Sequence, residues 1–291
     1  MFDNYFHRLK NYTLSENITI LLTKIGLNFN KQAYTTKIVP YRKLLGQLAI
    51  WGFGYKRINR HTLAIYDQSD HEFLIRLHNS DIHVFNQIIV YGEYSPILKI
   101  SKEQGMPDRR LNIIDCGSNI GLFTVWANRH FPDSKIVCVE ADEANYKFGL
   151  HALNKIQSTE IHPLYKALWY NNTETVAVTD AFRDGDSWSK SVKAGGEQTS
   201  GQVGTITLKD IYDQFFEGEN IDILKIDIEG AEADIFRQPE SFGSILEHTR
   251  IIAIEIHDEA NCRELTNDFL TRQGFHLFIA SETTFAYKNV S

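Results

Sequence analysis

The run Ile113-Ile114-Asp115-Cys116-Gly117-Ser118-Asn119-Ile120-Gly121 limits what this chain can fold into more than any other stretch. It reads as a short apolar strand, Leu111 to Cys116, then a glycine turn, then a helix over Leu122 to His130. Glycines carry no Cβ, so backbone at such a turn can approach a ligand closely. The alternation continues downstream. Lys135 to Glu140 reads as a second strand, Ala144 to Lys155 as a helix, Glu160 to Leu168 as a third strand and Ile221 to Ile228 as a fourth. Ile251 to His257 follows as a fifth strand, Glu259 to Gln273 as a helix, and Gly274 to Ala280 with Thr283 to Lys288 as a closing hairpin. Strands alternating with helices predict an α/β fold, a mostly parallel sheet covered on both faces. Ligands of such sheets bind beyond the carboxyl ends of the strands, near the switch in strand order.

Upstream of a polar seam at Ser101 to Arg110 the pattern is mixed, with aromatics scattered from Tyr34 to Tyr94. The expected organisation is therefore two parts. Residues 1–108 form an N-terminal α+β extension packing on the core, with substrate or oligomer contacts, and residues 109–291 form the ligand-binding domain. No internal repeat is apparent, and no apolar run reaches the roughly 20 residues that span a bilayer. The N-terminus lacks the apolar core of a signal peptide. Cys116, Cys138 and Cys262 have no metal-site spacing and suit reduced thiols in a cytoplasmic setting. A net charge of −7 makes the whole chain a poor nucleic-acid partner. Between Lys31 and Tyr66, however, seven basic residues occur with no acid. That segment is either a solvated face or a surface for anionic substrate or lipid headgroups, a peripheral membrane contact. The oligomeric state is not legible.

The turn predicts a nucleoside cofactor site. Asp115, Gly117, Asn119 and Gly121 would surround one end of it. Glu140, which ends the second strand 25 residues after Asp115, would accept the ribose hydroxyl protons, with Ala141 adjoining. An NAD-binding domain is the chief rival. The spacing is not Gly-x-Gly-x-x-Gly, and a carboxylate before the first glycine would repel a pyrophosphate while attracting the sulfonium of S-adenosylmethionine.

The fourth strand is unusual. Buried parallel strands are nearly all apolar, yet Ile221-Asp222-Ile223-Leu224-Lys225-Ile226-Asp227-Ile228-Glu229 carries Lys225, Asp227 and Glu229 at like parity, hence on one face. Glu255 and His257 repeat the feature on the fifth strand, where Lys225 could pair with Glu255. The five form either a structural ion-pair network or a catalytic edge. Asp227 is the first candidate for a general base, His257 the second, with Glu229 behind them. A divalent cation on Asp227, Glu229 and His257 is the alternative route and not the favoured one, because their spacing matches no known metal motif. Phe123 and Trp126 read as core, and His61, His71, His78 and His83 do not sit at ligand spacing.

Asp-x-Gly-x-Asn-x-Gly followed by Leu-Lys-Ile-Asp-Ile-Glu-Gly-Ala-Glu resembles the FkbM family of S-adenosylmethionine-dependent methyltransferases, over roughly Phe73 to the C-terminus. The run from Ser80 to Ile88, leading to Gly92-Glu93-Tyr94, resembles the segment that precedes the core in many members. The resemblance implies a Rossmann-like class I methyltransferase sheet, mostly parallel with a C-terminal antiparallel hairpin. It also implies O-methylation, commonly of sugars, glycans or polyketide hydroxyls. It places Ala167 and Leu168 by the adenine. Glu93 and Tyr94 are assigned either to the cofactor's amino-acid end or to packing. Asp180 to Gly204 would suit a substrate-binding lid, and residues 1–65 match no family. An NAD-dependent oxidoreductase and a catalytically silent cofactor-binding protein are the competing readings.

Overall fold

The computed structural model describes residues 11–24, 38–77, 79–106, 110–179, 191–194, 202–228, 231–257 and 262–289. The chain divides into two compact units, Met1–Ile82 and His83–Ser291, upstream of the expected seam.

Among its described residues the first unit has two helices, α1 (Leu14–Lys24) and α2 (Val39–Ile50), and a three-stranded antiparallel sheet in the order β1 (Gly54–Arg57), β2 (Thr62–Tyr66), β3 (Glu72–Arg76). Pro40 sits in the first turn of α2, where its missing N–H removes no helical hydrogen bond. Tyr41, Leu45 and Leu48, three and four residues apart, form the buried stripe of that helix. One member of the basic segment is consumed inside this unit. The Arg57 guanidinium lies 2.6 Å from Glu16 and 4.9 Å from the centre of the Tyr41 ring. Lys31 and Lys37 lie outside the described residues.

From the boundary onward, α3 (Asp81–Phe85) runs on into a π-helical turn, Asn86–Val90, followed by α4 (Ser95–Glu103). Seven strands then make one sheet: β4 (Asn112–Cys116), β5 (Lys135–Glu140), β6 (Glu160–Tyr165), β11 (Ile221–Ile226), β12 (Thr249–Glu255), β13 (His276–Ala280) and β14 (Thr283–Tyr287). Their order is β13-β14-β12-β11-β4-β5-β6. Five are parallel, and β14 enters antiparallel between β12 and β13, closing the sheet with the expected hairpin. This is the order of a class I methyltransferase sheet. The chain builds outward from β4 to β6, then returns to lay β11 on the other side of β4. The reversal therefore falls between β4 and β11, and that gap is where a ligand crevice belongs.

Helices α5 (Leu122–His130) and α6 (Glu143–Leu153) connect the first three strands. Asp142 starts α6 by accepting the Asn145 backbone N–H at 2.8 Å, which satisfies one of the donors a helix start leaves open. The expected third strand breaks at Lys166. Its pairing with β5 ends at Glu140–Tyr165, where β5 itself ends, so β7 (Ala167–Leu168) takes a new partner. It pairs with β10 (Gln202–Ile206) in a smaller sheet with β8 (Thr175–Thr179) and β9 (Ser191–Ala194), ordered β7-β10-β8-β9. Most of the expected lid over Asp180 to Gly204 lies outside the described residues. The remaining helices are α7 (Leu208–Phe215), α8 (Glu232–Phe236), α9 (Ile245–His248) and α10 (Arg263–Arg272). The first of these opens on a capping box of Thr207 and Asp210. Phe123 and Trp126 are buried as expected, and the three cysteines are free and buried. Among the described residues, no helix is long and apolar enough to cross a membrane.

Candidate active site

All six residues of β11 are buried, including Asp222 and Lys225. Each charge has a partner inside the sheet, as a buried charge requires. Asp222 accepts the Asn112 backbone N–H at 2.9 Å and lies 3.6 Å from Arg250. The register sets Lys225 opposite Asp115 on β4. Its Nζ lies 3.2 Å from Asp115, 3.5 Å from Asp227, and donates to the Gly117 carbonyl at 2.6 Å. Burial by itself would lower the Lys225 pKa, but the two carboxylates outweigh it and hold it above its ordinary value. The expected Lys225–Glu255 pair is thus replaced by a bridge in the opposite direction, because β4 rather than β12 offers an acid at the matching position.

That bridge also corrects the role expected of Asp115. Its side chain is fully buried, accepts the Thr124 hydroxyl at 2.8 Å and faces Lys225. It does not line the cleft at the strand ends. Its charge is compensated from within, so it holds the turn from behind and does not present a bare carboxylate to a sulfonium. Paired with Lys225, Asp115 repels a pyrophosphate less than a bare carboxylate would.

The turn itself is built as its sequence predicts. Gly117 takes φ +76° and Asn119 φ +51°, both left-handed. Gly117 and Ser118 donate their N–H groups to the Val139 carbonyl, while the Asp227 N–H bonds to the Cys116 carbonyl at 3.0 Å. Backbone of the strand-four loop therefore lies directly against the glycine turn. Gly121 caps α5 with left-handed backbone and does not line the cleft.

A cleft of about 990 Å³, including the space at its mouth, opens above these strand ends. One wall carries Gly117, Ser118, Asn119, Glu140 and Ala141, and another carries Lys166 and Leu168. Glu93 and Tyr94 also face it. Glu93 accepts the Thr283 hydroxyl at 2.6 Å, and Tyr94 packs edge-on against Phe123 with ring centres 4.7 Å apart. Ala167 does not line the cleft and belongs to the apolar core, its neighbours on either side taking the expected place.

Glu140 is the best-defined polar group of this wall. One oxygen accepts the Asn119 N–H at 2.7 Å and the other the Asp142 N–H at 2.8 Å. Burial pushes its pKa up to about 7, against the pull of those two donors. Near neutral pH the empty site is therefore poised between carboxyl and carboxylate. A ribose diol donates two protons and requires the carboxylate. Affinity for S-adenosylhomocysteine should accordingly rise as pH increases through about 7, with proton release on binding. Titration calorimetry at pH 6.5 in buffers of different ionisation enthalpy reads that proton directly. Glu140→Ala should weaken binding at least tenfold and remove the proton release; unchanged affinity would remove Glu140 from ribose recognition. The same raised pKa favours the folded state at low pH, since the unfolded chain gives up this proton nearer 4.5, so this contribution is lost as pH rises from about 4.5 to 7.

The lining also carries Asp227, immediately after β11, and Glu255, the last residue of β12. Asp227 turns one oxygen toward Lys225; the other, Oδ1, is buried without a hydrogen-bond partner among the described residues. His257 lies behind this edge, 2% exposed and outside the cleft lining, with Nδ1 3.0 Å from the fully buried Glu232. Direct contact with substrate is thereby closed to His257, and it is corrected from a candidate base to a buried neighbour of the site. Glu229 lies outside the described residues. Sequence reasoning missed Glu232 and gave Glu255 only a pairing role. Their signals were a charged residue at the start of a helix and an acid at a strand end, both common without function.

The family described as the methyltransferase FkbM domain matches residues 115–277, the stretch that holds the turn, Glu140 and the charged strand ends. Methyltransferase 1 of Beauveria bassiana (strain ARSEF 2860) is 26% identical over 141 residues, 43% of this chain. The match spans 57% of that relative's length. Among solved structures, the precorrin-6y C5,15-methyltransferase of Geobacter metallireducens GS-15 is similar at 10% identity and a TM-score of 0.38, over 62% of this chain and 81% of that one. The ribosomal protein L11 methylase of Lactobacillus delbrueckii subsp. bulgaricus is similar at 11% identity and a TM-score of 0.37, over 68% and 80%. The fold class stands on the strand order and connections, independently of those two likenesses.

Proposed function

The chain belongs to the FkbM methyltransferase family, and from that premise we propose that it transfers the methyl group of S-adenosylmethionine to a hydroxyl of a sugar, glycan or similar small molecule. The single observation that carries the hydroxyl is Asp227 Oδ1, a buried carboxylate oxygen with no hydrogen-bond partner among the described residues, in the cleft lining at the end of β11, which β4 separates from the strand of Glu140. An aliphatic hydroxyl is a poor nucleophile until its proton leaves, and an acceptor-only oxygen is the group that can take it.

The donor would lie with its ribose on Glu140 and its adenine between Ala141 and Leu168. Its sulfonium would then sit near the turn, with the methyl carbon aimed at Asp227. As the acceptor oxygen bonds to that carbon, its proton passes to Asp227. The carbon–sulfur bond breaks with its electron pair on sulfur, and S-adenosylhomocysteine leaves. Holding the three reacting atoms in line supplies much of the acceleration. Lys225 keeps its ammonium beside both Asp115 and Asp227 and so fixes the base against the turn.

The test is a screen of tritiated S-adenosylmethionine against sugars, nucleotide sugars and lipid-linked glycans. An ether product keeps its label in mild alkali, whereas a methyl ester loses it. Base-labile label, or label carried on nitrogen, would overturn the hydroxyl reading. Preferential binding of NAD over S-adenosylhomocysteine would overturn the donor assignment as well.

A further inference from the structure

We propose that Asp227, Glu255 and His257 form a divalent-cation site at the acceptor end of the cleft. Each offers one ligand atom, and these atoms all lie within 4.8 Å of one another. The set differs from the one expected from sequence, with Glu255 in the place of Glu229. Topology is the reason. β11 and β12 are parallel neighbours with Ile226 beside Ile254, so the residues just beyond both ends converge on one point.

Two independent observations point to an ion there. The first is how the His257 ring is held. Glu232, fully buried, faces Nδ1 at 3.0 Å. A carboxylate held against one ring nitrogen orients the other, as it does in metal-binding histidines. Nε2 faces Glu255 Oε1 at 3.6 Å, too far for a hydrogen bond. Two ligands bonded at about 2.1 Å to one octahedral ion stand roughly 3 Å apart, so a small adjustment brings both onto a shared ion. The second observation is Asp227. Lys225 engages Oδ2 at 3.5 Å, and Oδ1 is buried without a hydrogen-bond partner among the described residues.

Two carboxylates and one imidazole select a first-row divalent cation that accepts mixed oxygen and nitrogen ligands, and Mn²⁺ is the natural probe. Three protein ligands leave positions open on the side of the cleft, where the acceptor oxygen would bind. The inference rests on the methyl-transfer reading and refines it. Asp227 would then be a ligand, and a cation held there would supply the acidity that the acceptor hydroxyl needs to lose its proton. The proton leaves to water at the cleft mouth, the oxygen attacks the methyl carbon, and the bond electrons depart on sulfur.

The full-length protein, stripped with chelator and dialysed, should bind one Mn²⁺ per chain when titrated and followed by electron paramagnetic resonance. Glu255→Gln and His257→Gln should each weaken that binding at least tenfold, and Glu232→Gln by 10- to 100-fold through loss of the carboxylate that orients the His257 ring. Absence of a one-to-one site in the wild-type protein, or wild-type affinity in both ligand variants, would overturn the proposal. S-adenosylhomocysteine binding by the same stripped protein separates the two readings. If it is retained without Mn²⁺ binding, the cation site alone falls. If it is lost even with Mn²⁺ restored, the donor assignment falls.

Discussion

Asp227→Asn should lower turnover by about 10²–10⁴-fold, the range a lost general base produces, while S-adenosylhomocysteine still binds. The amide keeps the shape of the carboxylate and an oxygen that can face Lys225. It cannot take a proton, and it is a weak metal ligand. Both the unaided route and the cation-assisted one therefore lose their central group, whereas the donor's ribose contact at Glu140 is on β5, with β4 between it and β11. Single-turnover measurement with preloaded donor is the appropriate readout, because it excludes product release. A variant that turns over within threefold of the wild type would remove Asp227 from the chemistry and, with it, the observation on which hydroxyl acceptance rests.

Gly117→Ala should destabilise the fold by about 3–5 kcal/mol and abolish donor binding. A Cβ at that position would stand 1.7 Å from the Asp227 carbonyl oxygen and 2.7 Å from its carbonyl carbon, and backbone cannot rotate aside as a side chain can. The residue also has φ +76°, where an alanine is strained in any surroundings. Gly274→Ala is the control. Its φ is +86°, but nothing lies within 4 Å of the added carbon, so only the conformational penalty of roughly 1–2 kcal/mol applies. Urea unfolding of the two variants, compared at equal m-value, isolates the part due to the clash. Equal destabilisation would mean that the strand-four loop yields freely, and close packing of the two loops would then not be what demands glycine.

These two positions also show how far the sequence could be read. The strands, the connecting helices and the closing hairpin follow from periodicity, since each element buries a face whose repeat is written in its residues. Gly117 announces itself because only a residue without Cβ tolerates both the backbone angle and the contact. Glu140 announces itself by ending a strand. Pairing across the sheet is less legible. Lys225 could face β4 or β12, and parity alone gives its side of the sheet without naming the neighbour. Register decides that, and it placed Asp115 rather than Glu255 opposite the ammonium. The role of Asp115 changed for the same reason, from cofactor contact to internal counterion. Glu232 was illegible because its function depends on a histidine 25 residues onward in another element. The break at Lys166 depends on where a neighbouring strand runs out of partners, which no local pattern encodes.

The Thr283–Glu93 hydrogen bond joins residues 190 positions apart, and Gln104 meets the Lys288 carbonyl across 184. Closing so long a loop must precede any reward from the contact, and chains dominated by such distant pairings fold slowly. Completing the crevice therefore requires the antiparallel pair to be in place beside β12, at the cost of closing these long loops. Until then an apolar strand edge stays open to other chains, and recruitment of the donor by a finished crevice would drain that vulnerable population by mass action.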